Sequence, residues 1–574
     1  MRHSSLLFTA SFMIASGVAI FPAIATAATS VPPLTEIVTT AVRDCAKSDI
    51  INLPIITWGG DIAAIYANGN AAQTSAGSLF DRQGLKFKLV REDIFANQLK
   101  AYTACESPYL RGTLGMVNQA AEVANRDPRT KLVVLYQMTW SAGGDALVAK
   151  SNIKKPSDLK GKTIAVQAYG PHIDYLAKVL ADAGMSMKDV NIHWTRDITG
   201  SKDSPKAKLY DANIDAAIVI IPDALALTSR GSVGTGAEDS IKGARIILST
   251  KTANRIIGDV YAVRADYFKA NRDKVERLVR GLLQAEQKIK ELFNAKNAQD
   301  PEYRKLLTSS ATLLLDSAQA TADAEAMYHD AEFVGWMGNS NFFNNKNFPR
   351  RFDVLNQEIQ TALIGIGLTK QKLAIDQAGW DFDTLKTGLS HTTIAETPRF
   401  DKDQVSRVVA RRSEQEKLSE GELFSFEVFF KPNQNDFIAK DYAKEFERAI
   451  ALASTYGGAV ITVEGHADPL AYIKKKTAGE SDLVLNRVRQ SAKNLSLTRA
   501  NAVRDSLIQF GTAQGLKLDT SQFAAIGHGI NKPRLGMCGS EPCAPKSEQE
   551  WLSNMRVEFR LIQVEAEESV FRPQ

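Results

Sequence analysis

Three short stretches in the first half of the chain carry residues able to hold a small polar molecule. They are Trp58-Gly59-Gly60-Asp61, Ser141 with Gly143-Gly144-Asp145, and Gln167 with Gly170 and His172. The first and third directly follow apolar, strand-like runs, and helical patterns follow them in turn. Glycine lets a backbone approach a ligand closely, and the N-terminus of a helix offers free N–H groups that suit anions. The repeated Gly-Gly-Asp instead supplies carboxylates that could hold an amine. This favours a zwitterionic or amine-bearing solute over phosphate or nitrate. The alternative is that Asp61 and Asp145 cap helices, the commoner role of such a residue. Trp336 and Asn339 could line the same cleft or serve only in packing.

A second set of charges lies near the C-terminal end. Asp468 sits in Gly465-His466-Ala467-Asp468-Pro469, and Arg499 in Leu495-Ser496-Leu497-Thr498-Arg499-Ala500. A carboxylate accepts hydrogen bonds from an ammonium, and a guanidinium pairs with a carboxylate through two parallel bonds. The elements that must position them are a strand and a helix. Ala459, Ile461 and Val463 alternate with Val460, Thr462 and Glu464 as the two faces of the strand. The helix is expected to begin at Leu495 with Ser496 as its N-cap, because Ala500, Val503, Leu507 and Phe510 recur at helical spacing. That start puts Arg499 in the first turn, where the helix dipole disfavours a cation, so it has another reason to be there. The basic stretch Leu470 to Asn494 reads as an insert between the two. His466, at the strand end, reads as a structural hydrogen-bonding residue rather than a ligand or base.

From about Thr35 to Leu385 strands and helices alternate. Strands are expected at Ile51–Thr57, Leu85–Val90, Lys131–Tyr136, Lys162–Val166, Asp215–Ile221 and Val260–Val263, and helices at Ile94–Tyr102 and after Pro171. Such units make open α/β sheets with ligand-facing loops at the C-terminal ends of the strands. Residues 386–420 turn polar and read as a linker, partly helical around Val405 to Val409. Phe426, Val428 and Phe430 then alternate as a strand, Tyr442 to Ala453 as a helix stopped by Gly457-Gly458, and Met555 to Leu561 as a last strand.

Two resemblances follow from particular motifs. Pro156-Ser157-Asp158-Leu159-Lys160-Gly161-Lys162-Thr163-Ile164-Ala165-Val166, Ile214 to Val219, and Asp259-Val260-Tyr261-Ala262-Val263-Arg264 resemble type II periplasmic solute-binding proteins, the branch with nitrate, taurine and thiamine-precursor binders. That resemblance implies a bilobed domain over 35–385, closing on a small solute and serving an ABC-type transporter or a sensor. The second covers 421–565. Gly465-His466-Ala467-Asp468, the Leu495–Ala500 segment, Gly527-His528-Gly529 with Pro533, and Asn554-Met555-Arg556-Val557-Glu558 resemble the OmpA-like peptidoglycan-binding family. It implies a smaller α/β domain in which Asp468 and Arg499, with Arg556 contributing less, hold the zwitterionic end of diaminopimelate in a wall peptide. Ala467 stands where that family has Thr. Together they describe a periplasmic solute receptor fastened to peptidoglycan. The alternative is an envelope tether whose bilobed domain binds a protein partner.

The 574 residues exceed one core and imply two or three domains, and a formal charge of +5 argues neither for nucleic acid nor for an acidic membrane. Met1 to Ala27, with Arg2 and His3, an apolar run and Ala25-Thr26-Ala27, reads as a cleavable export signal. Cys45, Cys105, Cys538 and Cys543 form an even set, expected to pair as Cys45 with Cys105 and Cys538 with Cys543. Neither a zinc-ligand spacing nor a phosphate loop nor a Ser-His-Asp spacing stands out among seven histidines, so no metal, cofactor or enzymatic activity is expected.

Overall fold

A computed structural model describes residues 31–231, 233–295, 297–390, 400–415, 418, 422–429, 439–538, 541–544 and 546–563. The expected signal Met1 to Ala27, part of the linker and Phe430 lie outside the described residues. Among those described, no helix is long and apolar enough to cross a membrane.

The first two bodies are α/β lobes. In the first, strand Leu132–Ser141 is flanked by Gly258–Arg264 and Ala331–Phe333, with Tyr109–Thr113 beyond, while Ile51–Ile55 pairs in parallel with Phe87–Arg91. All ten residues of Leu132–Ser141 are buried, which explains a run too apolar to alternate. Helix Arg272–Ala295 lies against this lobe, burying Val275, Leu278, Val279, Leu282 and Leu283 along one stripe. In the second lobe the order is Asn191–Thr195, Thr163–Gln167, Ala216–Ile220, Asp145–Ala149, Arg245–Ser249. The first three run parallel, and Asp145–Ala149 runs against both its neighbours.

Two crossovers join the lobes, residues 142–144 outward and 250–257 back. They are tied to each other. The Thr250 hydroxyl accepts from the backbone N–H of Gly143 and of Asp145 at 3.2 and 3.1 Å, and lies 2.9 Å from Ser141 Oγ.

The third body has a four-stranded sheet in the order Glu422–Phe429, Arg556–Ile562, Val460–His466, Phe523–Gly529. Helices Ala443–Thr455 and Asp482–Ala513 supply its apolar cover through Phe446, Ile450, Ala500, Val503 and Leu507. One expectation, the helix start at Leu495, is corrected here. The polar stretch, expected to be partly helical around Val405 to Val409, contains helix Lys402–Glu414, whose Val405, Val408 and Val409 cluster with Phe400, Val460, Ala524 and Ile562. It covers the second face of the sheet, so Val460–His466 is buried on both sides. The helix expected to start at Leu495 is instead continuous from Asp482 to Ala513. No Pro interrupts it, and its only Gly, Gly511, lies near its end. Ser496 is therefore interior: its Oγ donates to the Lys493 carbonyl at 2.9 Å and accepts from Gly529 N–H at 2.9 Å. Cys45 is bonded to Cys105 and Cys538 to Cys543.

Candidate functional site

Between the lobes the side chains form two buried networks. In the first, Trp58 Nε1 donates to Thr139 Oγ1 at 3.0 Å, and that hydroxyl donates to Asp259 Oδ2 at 3.1 Å. Arg111, on a strand of the first lobe, pairs with Asp259 at 2.7 Å and grips Asp61 through Nε and Nη2 at 3.2 and 2.8 Å. Asp61 and Arg111 are both 0% exposed. Two carboxylates on one guanidinium leave an excess negative charge in the interior. Burial accordingly pushes the Asp61 carboxyl up to about 7, although Arg111 pulls it down.

The second network spans the crossovers. His172 Nε2 lies 2.8 Å from Asp145 Oδ1, and Ser141 Oγ donates to Asp145 Oδ2 at 2.7 Å. Neither expected Asp caps a helix. Asp61 makes no cap hydrogen bond, and Asp145 opens a strand. Each is used up by a buried partner instead, the physical reason being that a carboxylate taken from water must be paired or protonated.

Gly144 has a specific reason to be glycine, since a Cβ there would lie 2.6 Å from the Trp58 ring. Gly60 is close to Trp58 and Thr139, so these candidates do converge on one place. Gln167 and Gly170 lie apart from the two networks: a Cβ on Gly170 would meet Gln167 Oε1, and Gln167 Nε2 donates to the Arg196 carbonyl. Trp336 donates to the Phe382 carbonyl, and Asn339 bonds to both the N–H and the carbonyl of Gln137, which are packing roles.

The residue that sequence reading missed is Asp174, in the first turn of helix Ile173–Asp182. Its carboxyl lies against Gly115 at the start of helix Leu114–Ala124, where a Cβ would be 2.7 Å from its Cγ. Its oxygens have no side-chain partner among the described residues and face only the backbone N–H groups of Asp174 and Tyr175, without a well-formed hydrogen bond, and burial pushes the group up to about 7. Asp330, against Gly143, is raised to about 6 by burial and by Asp145. Arg111 was also missed. An arginine inside the apolar strand Tyr109–Thr113, buried throughout, is the signal that could have found it.

In the third body, Asp468 Oδ2 accepts from Leu470 N–H at 2.8 Å, while Oδ1 is buried with the Trp551 indole N–H close to the carboxyl and makes no well-formed hydrogen bond to the described residues. Arg499 is partly buried, with its guanidinium pushed downward by desolvation and no ion pair or hydrogen bond to the described residues. Strand and helix meet at Gly465, whose Cβ would sit 2.0 Å from the Ser496 carbonyl oxygen, one turn before Arg499. Beside Asp468 opens a groove of about 420 Å³ lined by Leu470, Lys546, Ser547, Glu548 and Trp551. Arg556 differs: it is buried and pairs with Glu427 at 2.9 Å. His466 donates from Nδ1 to the Lys532 carbonyl at 3.0 Å.

Residues 80–291 match the model of the family described as NMT1/THI5 like. No curated protein sequence matches the chain. Among solved structures, the periplasmic aliphatic sulphonate binding protein SsuA from Escherichia coli is similar at 15% identity and a TM-score of 0.40, over 57% of this chain and 91% of that one. The alkanesulfonate-binding protein SsuA from Xanthomonas axonopodis pv. citri is similar at 15% identity and a TM-score of 0.38, over 58% and 98%. The desulfurization enzyme DSZB is similar at 16% identity and a TM-score of 0.36, over 59% and 99%. The family match thus falls on the two lobes, and residues 80–291 form an NMT1/THI5-like segment within them.

Proposed function

We propose that this chain is a periplasmic solute-binding protein, that its interlobe cleft takes a small cationic or amine-bearing solute, and that its third domain holds it to peptidoglycan. The observation that carries the solute reading is Asp174, a buried carboxyl with no side-chain partner among the described residues, near Asp61, Asp145, Asp259 and Asp330, with Arg111 and Arg350 as the guanidinium groups that offset these acids in part. An excess of buried carboxyls is compensated by a bound cation and aggravated by a sulphonate or phosphate. A thermal-shift panel of amines, amino acids, sulphonates and other oxyanions on the full chain tests it. A rise in Tm with amines alone is expected, and a rise with oxyanions alone overturns the choice. Delivery to an ABC-type permease belongs to the same reading.

For anchoring, the support is the pair Asp468 and Arg499, neither with an ion-pair partner among the described residues, and Asp468 Oδ1 with only the Trp551 indole N–H near its carboxyl. They suit the ammonium and carboxylate of a diaminopimelate terminus. Asp468→Ala and Arg499→Ala should each release the protein from purified sacculi, because each leaves a ligand charge unpaired. Full retention of the double variant would count against the assignment.

A second reading has one observation in its favour. Trp58 against Gly144 and Asp330 against Gly143 fill the space beside the crossovers with the protein's own side chains. On that reading the lobes bind a protein partner and the whole is an envelope tether. No shift with any solute in the panel would favour it.

A further inference from the structure

Folding brings Glu464 and His466, on strand Val460–His466, together with His528, on the neighbouring edge strand Phe523–Gly529. One potential ligand atom from each lies within 4.8 Å of the others, and all three residues are buried. His466 is the informative member. Its Nδ1 faces a carbonyl, which can only accept, so that nitrogen carries the proton and Nε2 is a bare lone pair. That Nε2 is buried on a residue 2% exposed and has no hydrogen-bond partner among the described residues. Glu558 Oε2 lies 3.8 Å from it. Two donors face these acceptors: His528 Nε2, 2.7 Å from Glu464 Oε2, and the Arg556 guanidinium, whose Nη2 lies 3.8 Å from Glu558 Oε2.

The outer atoms are already held. Glu464 Oε1 accepts from Thr462 Oγ1 at 2.7 Å and from Arg560 Nε at 3.0 Å, leaving Oε2 to face the histidines. Arg560 also pairs with Glu558. A histidine fixed through one nitrogen by a backbone carbonyl, and carboxylates fixed through their far oxygens, are what orients ligands around a metal ion. We propose that Glu464, His466 and His528, with Glu558 as the fourth ligand, bind a divalent transition metal of the zinc type. Imidazole nitrogens and carboxylate oxygens suit that ion, which sits about 2.0–2.2 Å from each, so that His528 Nε2 and Glu464 Oε2, now 2.7 Å apart, must part by a small side-chain rotation to flank it. On binding, the proton on His528 Nε2 leaves to solvent or to the other ring nitrogen, and the metal takes the freed lone pair. Neither the solute reading nor the wall reading is needed for this site.

The test uses the full chain without a histidine tag, stripped with chelator and then given zinc alone. Expected are one zinc per chain retained through gel filtration, a higher Tm, and loss of at least tenfold in zinc affinity in His528→Gln and His466→Gln with unchanged circular dichroism. Wild-type protein that retains no zinc, or variants that retain as much as wild type, overturns the proposal. Should both variants fail to fold, X-ray absorption on the zinc-loaded wild type decides. Imidazole scattering from two histidines supports the site, and an oxygen-only shell overturns it.

Discussion

At the scale of single residues, the buried acids set the behaviour of the cleft. Asp174 titrates near 3.8 when exposed and at about 7 in the fold, because burial disfavours its charge. The folded form therefore holds the proton more tightly than the unfolded chain. The sign follows: this stabilisation is full below about pH 4, fades as pH rises, and is gone above about pH 7. Its ceiling is about 4 kcal/mol, from about 1.36 kcal/mol per pH unit of displacement. Asp174→Asn should raise Tm at pH 7.5 and change it little at pH 4.5, read by calorimetry at the two pH values. It should also remove any amine-dependent rise in Tm, which a purely structural carboxyl would not do.

At the scale of elements, the proposed anchoring site depends on how closely one strand meets one helix. Strand Val460–His466 and helix Asp482–Ala513 approach at Gly465 and Ser496, so that an alanine methyl would lie 2.0 Å from a carbonyl oxygen. Gly465→Ala should cost about 1–3 kcal/mol in urea unfolding. It should also weaken sacculus binding although Asp468 and Arg499 are intact. Unaltered pull-down by a destabilised variant would mean that the two charges need not be held in register. The crossovers make a similar case. Thr250→Val withdraws the hydroxyl that Gly143, Asp145 and Ser141 share, leaving buried donors unsatisfied at a cost of about 1–3 kcal/mol each. Chemical denaturation of that variant measures it.

At the scale of the whole molecule, residues of the third body bond to the return crossover between the lobes. Gly457 N–H donates to Asn254 Oδ1 at 3.0 Å, Gly458 N–H to the Thr252 carbonyl at 3.0 Å, and Tyr456 OH to Asp182 Oδ2 at 2.8 Å. Asn254 in turn donates to Glu332 at 2.9 Å. Gly458 admits no side chain, since a Cβ would lie 1.9 Å from the Lys251 carbonyl oxygen. The full chain should therefore unfold with the third domain coupled to the lobes. Gly458→Ala should split the calorimetric transition into two, and an unchanged single peak would show that the contact carries no coupling.

What the sequence determined by itself was local. Strands such as Thr163–Gln167 and Ala216–Ile220 are runs of apolar and β-branched residues, and helix Phe95–Thr103 is a periodic stripe, so each was readable within two residues of its ends. Trp58, Gly60 and Gly144 were readable as loop residues, but their mutual contact was not. Tertiary structure decided the partners, because pairing a buried charge depends on neighbours distant in sequence. Arg111 claims Asp61 from 50 positions away, and His172 claims Asp145 from 27. It decided the helix start too: Ser496 has the chemistry of a cap, yet a continuous helix and the Gly529 N–H gave its hydroxyl other work. The same long-range closure sets Glu464 and His466 beside His528, 64 residues from Glu464 along the chain, a grouping that no spacing in the sequence could display.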